Sequence, residues 1–229
     1  MALHLEAVVF DVADAAATAA FWAGLLDREV RPEPSGALVP GNETQVGLRF
    51  VTSDTVQIDP RQLHLHLTST SLDDQQRTVA TALRLGGRHL DVGQAPDDAF
   101  VVLADPGDNP LCVIEPGNNY LANTGYLGEV TCNGTRDVGL FWHHALGWPL
   151  VLNENEQTAV QSPYGGTKIS WDSWDEPRTT RNRQRFDLTA TDPTSEADRL
   201  LALGATRLAD HVLADPDGNE FGLRRAVRR

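Results

Sequence analysis

One short stretch of the chain occurs twice. The first copy reads Ala104-Asp105-Pro106-Gly107-Asp108-Asn109-Pro110-Leu111, and the second Ala214-Asp215-Pro216-Asp217-Gly218-Asn219-Glu220-Phe221. Asp-Pro followed by Gly and Asn is turn chemistry: Pro fixes φ at the first corner, and Gly and Asn tolerate φ > 0. Apolar runs flank both copies, so each reads as strand, tight turn, strand. A hairpin that recurs 110 residues further on in a chain of 229 points to duplication of a whole domain.

Other landmarks recur in the same order. Phe21-Trp22 returns as Phe141-Trp142, offset by 120. Leu63-His64-Leu65-His66-Leu67 aligns with Gln184-Arg185-Phe186-Asp187-Leu188, offset by 121. Leu83-Arg84-Leu85-Gly86 aligns with Leu201-Ala202-Leu203-Gly204, offset by 118. The offsets drift where loops differ, since the second copy lacks most of Asp91–Asp98. Pro116 to Asn119 is rich in turn formers and begins the connection between the copies. The expected division is 1–116, a linker at 117–121, and 122–229.

Within each copy the pattern is strand, helix and short strands, repeated. Leu3 to Val12 is β-rich, and Asp14 caps an alanine-rich helix to Leu26. Strands are expected near 37–39, 46–50 and 56–58. In Gln62–Leu67 the leucines point one way while His64 and His66 point the other. A helix from Asp73 ends at Gly86, before strands near 88–90, 100–104 and 111–115. The second copy starts with a strand at 126–132 and a helix from Thr135 or Arg136. Strands follow near 149–152, 159–161, 168–171 and 184–189. A helix from Pro193 then precedes the final hairpin.

Charge limits the partners. The chain carries a net charge of -13, and its pI is near 4.8. A duplex binder needs a basic face that neutralises phosphates, so nucleic acid is not an expected partner, and neither is an anionic membrane. No apolar run approaches the ~20 residues of a membrane span. The start, Met-Ala-Leu-His-Leu-Glu, lacks a signal-peptide pattern, so a cytoplasmic location is expected. The two cysteines, Cys112 and Cys132, lie in apolar runs without Cys-x-x-Cys spacing and read as buried free thiols.

The order of these motifs (Asp14…Phe21-Trp22…Leu26, the Leu-Gly turns at Gly86 and Gly204, and two Asp-Pro hairpins) resembles the vicinal oxygen chelate superfamily. That is the glyoxalase, bleomycin-resistance and extradiol-dioxygenase group. The resemblance implies an α+β fold of two tandem domains, each of two βαβββ units curled into a half-barrel cup that holds the ligand. It also implies a divalent metal held by His and Glu from several cup strands. The implied positions fall on Ala7, His64 and Cys112 in the first half, and on Leu127, Arg185 and Gly222 in the second. Only His64 is the expected type of ligand, and Arg is always protonated. His4 and Glu115 lie an odd number of residues from the expected places, so strand alternation turns them to the other face. Cys112 as thiolate would favour zinc. The expectation is therefore no metal and no cofactor.

Other catalytic patterns are weak. His143-His144 are consecutive on a helix and point apart. Gly165-Gly166-Thr167-Lys168 reads as a hairpin turn, lacking phosphate-loop spacing. Cys112 and His64 would make a thiol–imidazole pair only if they face the same cup. The pocket candidates are His64, His66, Arg185, Asp187 and Trp171, with Trp174 beside them. Their bland reading is that His64 and Arg185 satisfy neighbours in filled cups and that the tryptophans are core.

Three functions remain open on this reading. The first is a metal-free protein that binds a small molecule in one or both cups. The second is a metal-dependent lyase, isomerase or dioxygenase, or a metal-free enzyme using His64 as base. The third is an interaction module with filled cups. The covalent duplication is expected to replace the pairing of single-domain relatives, giving a monomer or weak homodimer.

Overall fold

The computed structural model describes residues 3–54, 63–95, 97–173 and 182–226. The strand expected at 56–58 and Trp174 lie outside these residues. Four βαβββ units follow one another. The first has β1 (His4–Val12), α1 (Ala15–Leu26), β2 (Arg31–Glu33), β3 (Gly36–Val39) and β4 (Gly47–Thr52). The second has β5 (Leu63–Leu67), α2 (Leu72–Arg84), β6 (Arg88–His89), β7 (Val101–Ala104) and β8 (Pro110–Val113). The third has β9 (Leu127–Asn133), α3 (Arg136–Leu146), β10 (Leu150–Glu154), β11 (Gln157–Gln161) and β12 (Lys168–Asp172). The fourth has β13 (Gln184–Ala190), α4 (Pro193–Ala202), β14 (Thr206–Ala209), β15 (Val212–Ala214) and β16 (Glu220–Arg225).

Local chemistry explains the helix starts. Asp14, Ser71, Thr135 and Asp192 each sit at an N-cap and accept a backbone N–H of the first turn. The two landmark motifs of each half turn out to be one device. In the first, Asp105 accepts the backbone N–H of Gly107 at 2.8 Å and of Asn109 at 2.9 Å. Its other oxygen accepts the Trp22 indole N–H at 2.7 Å. In the second, Asp215 accepts Asn219 at 2.8 Å and the Trp142 indole at 3.1 Å. A buried indole N–H needs such a partner, so the helix motif and the turn motif specify each other. The positive φ of the turn falls on Asp108 and Gly218, at the same place in each copy.

The four units pair in a way that the sequence pattern did not anticipate. Each half was expected to close its own cup. Instead the chain forms two eight-stranded sheets: β14-β15-β16-β13-β1-β4-β3-β2 and β10-β11-β12-β9-β5-β8-β7-β6. The first joins units one and four through β1 and β13, antiparallel. The second joins units two and three through β5 and β9, also antiparallel. Every unit offers the same kind of leading strand, so strand patterning alone does not choose between these arrangements. One face of each sheet enters a shared core, with Val8, Phe10 and Val12 from β1 and Leu63, Leu65 and Leu67 from β5. The opposite faces form two cups. We call them the terminal cup (units one and four) and the central cup (units two and three).

Candidate functional site

In the central cup, three neighbouring strands place Cys112 (β8), His66 (β5) and Glu129 (β9) side by side. His66 is the direct cross-strand partner of both Cys112 and Glu129. Lys168 on β12 continues the row beyond Glu129. The next row carries His64, Thr131 and Ser170. Strand alternation puts these side chains on the cup face while the intervening leucines fill the core.

The row is held by short polar contacts. His66 Nδ1 lies 2.8 Å from one Glu129 oxygen. The Tyr120 hydroxyl, from the connection between the two halves, donates to the other at 2.6 Å. Lys168 donates to the Tyr120 carbonyl, and its ammonium sits 4.1 Å from the centre of the Tyr120 ring. The sulfur of Cys112 lies within 4.8 Å of donor nitrogens of both His64 and His66. Val102, Cys112, Ile114 and Leu121 form a small apolar cluster of their own, with Phe100 and Tyr120 packed against it.

These neighbours pull the two histidines apart electrostatically. Burial works against a charge on His66, but hydrogen bonds to Cys112 and Glu129 outweigh it and raise its pKa to about 9. His64 is pushed down to about 4, by burial first and then by the charge on His66. Burial also works against the Glu129 carboxylate, yet the contacts from His66 and Tyr120 hold it below the usual range. At neutral pH the row therefore contains a charged His66 against an ionised Glu129, with a neutral His64 4.7 Å away, ring centre to ring centre.

The terminal cup is built from different material. Arg49 on β4 is only 4% exposed. It binds Glu33 at 2.8 Å, Glu6 at 3.0 Å and Asp187 at 2.5 Å. Arg224 also pairs with Asp187, and Arg185 pairs with Asp11 at 2.9 Å. Asp187 is flanked by Ala7 and Gly222. A Cβ on Gly222 would lie 2.3 Å from the Asp187 carboxylate. This cup is occupied by its own ion pairs.

The five candidate residues are thus divided. His64 and His66 face the central cup together. Arg185 and Asp187 face the terminal cup, where both are consumed by ion pairs. Trp171 is in neither: it is 1% exposed and stacks on Trp142 within the core. Sequence reasoning passed over Glu129, Tyr120, Lys168 and Arg49. Glu129 did carry a signal, being the one charged residue inside the apolar run Leu127–Cys132.

A family model of the glyoxalase-like domain matches residues 7–114 and again 129–224. The chain belongs to the glyoxalase-like domain family. Glyoxalase I from Zea mays superposes with a TM-score of 0.64 at 13% identity, covering 97% of this chain and 92% of that one. A putative dioxygenase from Bacillus subtilis subsp. subtilis str. 168 superposes with a TM-score of 0.57 at 14% identity, covering 96% and 84%. At such identities the likeness is one of fold, and it agrees with the vicinal oxygen chelate superfamily. No curated protein matches. Among the described residues of this glyoxalase-like chain, no helix is long and apolar enough to cross a membrane.

The superfamily implies a metal, so the donors have to be tested against one. His64, His66 and Cys112 are close enough together to reach a single ion. However, His66 Nδ1 is taken by Glu129 at 2.8 Å, so the donors within reach of one ion are the other His66 nitrogen, His64 and Cys112, a set without a carboxylate. Glu129 spends its two oxygens on His66 and Tyr120. In the terminal cup Asp187 is claimed by two arginines. As they stand, neither set offers the combination of His and Glu donors that the superfamily implies.

Proposed function

We propose that this glyoxalase-like protein binds a small molecule in its central cup, without a resident metal. The observation that carries the reading is the buried His66–Glu129 pair, which faces the cup and not the core. Side chains that only hold a fold together bury charge reluctantly, and perturbed titrating groups in a concave site mark binding surfaces. An apolar wall beside the row suits a ligand with a hydrocarbon part and a polar oxygen. The terminal cup plays a structural part. The chain is a monomer or weak homodimer, and a stable tetramer by light scattering would contradict this.

Imidazole NMR signals of His64 and His66 report on the site directly. A screen of small carbonyl, carboxylate and aromatic metabolites should yield compounds that shift these signals and raise Tm. Their effect should vanish in His64→Leu and persist in Arg185→Ala. Hits that survive His64→Leu, or no hits at all, would overturn the reading. Elemental analysis tests its metal-free part. A stoichiometric ion lost in His64→Ala would put a metal-dependent lyase, isomerase or dioxygenase in its place.

A further inference from the structure

The two cysteines are buried alike, 8% exposed at Cys112 and 7% at Cys132, but lie on opposite faces of the sheet. Cys132 lies on the core face of β9, and burial pushes its thiol well above the ordinary range. It is an inert packing residue. Cys112 lies on the cup face of β8, beside His66. The His66 ring is engaged from two sides. Its Nδ1 meets Glu129 at 2.8 Å, and a ring nitrogen lies within 4.8 Å of the Cys112 sulfur. Sulfur, imidazole and carboxylate therefore stand in sequence on three adjacent strands. This is the order of nucleophile, base and orienting group that activates a thiol. Because all three sit on sheet strands, their spacing is set by backbone pairing and not by loops.

We infer that Cys112 is a nucleophile, activated by His66 with Glu129 as positioning residue, that adds to alkenes conjugated to a carbonyl. The inference rests on the small-molecule reading of the central cup and names a substrate class for it. Val102, Ile114 and Leu121 cluster with Cys112 and are nearly buried, so the hydrocarbon end of an enal or enone would take the place of Leu121 against Val102 and Ile114. The carbonyl end then meets the polar row.

The step balances without any further reagent. The Cys112 thiolate forms a C–S bond to the β-carbon. The alkene π pair moves toward the carbonyl as an enolate. The proton held by His66 passes to the α-carbon, leaving neutral His66 against Glu129. The sum is addition of S–H across the double bond. Tyr120 fixes the second Glu129 oxygen at 2.6 Å, so the carboxylate cannot turn away from the imidazole.

The test uses the full chain and methyl vinyl ketone, followed by intact mass and peptide mapping. One adduct is expected, on Cys112, with Cys132 unmodified. At pH 7 Cys112 should react on the order of 100-fold faster than the thiol of free cysteine, because His66 and Glu129 assist it. His66→Gln and Glu129→Gln should each lose most of that advantage, Glu129→Asp should restore part of it, and each variant's melting curve shows whether it is folded. An unmodified Cys112 in folded protein, with reaction only after denaturation, would overturn the inference. So would a rate no faster than that of free cysteine. Alkylation blocked by a tightly held metal, and released by chelation, would replace it with a metal site. Ligand-induced shifts of the His64 signal without any adduct would overturn this inference alone and leave the binding reading standing.

Discussion

The two cups share one backbone plan and differ in what a single register row carries. Across the terminal cup the row reads Gly222, Asp187, Ala7, Gly47. Across the central cup the corresponding row reads Cys112, His66, Glu129, Lys168. In the first, three of four positions carry no functional group, and the space above them is taken by the long side chains of Arg49, Glu6 and Glu33. In the second, all four positions carry one. The terminal row is built over by arginine–carboxylate pairs, whereas the polar groups of the central row pair with one another and with Tyr120 of the connection.

The comparison breaks most visibly at Arg49. Arg49→Met leaves Glu33, Glu6 and the buried Asp187 short of a counter-charge, which costs about 3–5 kcal/mol. Calorimetry should show Tm lower by on the order of 10 °C, with thiol reactivity at Cys112 unchanged. A smaller loss than that of an exposed pair would mean the terminal cup is not held by this network.

The central cup answers to pH instead. His66 titrates higher in the fold than in the unfolded chain, so its contribution is complete below pH 6.5 and is lost as pH rises through about 9. His64 titrates lower, so its contribution is complete above pH 6.5 and is lost as pH falls toward about 4. Each shift corresponds to roughly 3 kcal/mol. Denaturant melts from pH 4 to 10 should therefore fall on both sides of a plateau near 6.5. Glu129→Gln should shrink the alkaline loss, and an unchanged alkaline limb would show that Glu129 does not hold the proton.

The finest test concerns the row itself. Gly222→Ala places a methyl against the Asp187 carboxylate, which two arginines pin in place. The crowding should cost about 1–3 kcal/mol. A neutral outcome in urea melts would show that small residues are not required there.

Much of the fold was legible in the chain. The paired turns, the four helix caps and the alternation of Leu63 to Leu67 fixed the units and the face of His64 and His66. Which units share a sheet was not legible, because their leading strands are alike. That ambiguity hid the site. With each half expected to close on itself, His66 had no reason to meet β9. Sequence offset put Leu127 where the structure puts Glu129, because the step from the strand to the helix is two residues shorter in the second copy: Ala7 to Phe21 is 14 positions and Glu129 to Phe141 is 12. Arg49 was visible as a lone charge in the strand Gly47–Thr52, but its three carboxylates come from distant strands.

The crossed pairing also sets a timetable for assembly. The central sheet uses only residues between Leu63 and Asp172, so it can close while the last unit is still being synthesised. The terminal sheet pairs His4 with Thr189, so β1 must wait for nearly the whole chain before its antiparallel partner exists. Such distant pairing is slow, and it leaves an apolar strand edge exposed in the interval. The nascent chain can thus complete its central cup before its terminal one, and its period of greatest risk of misassociation belongs to the N-terminal unit.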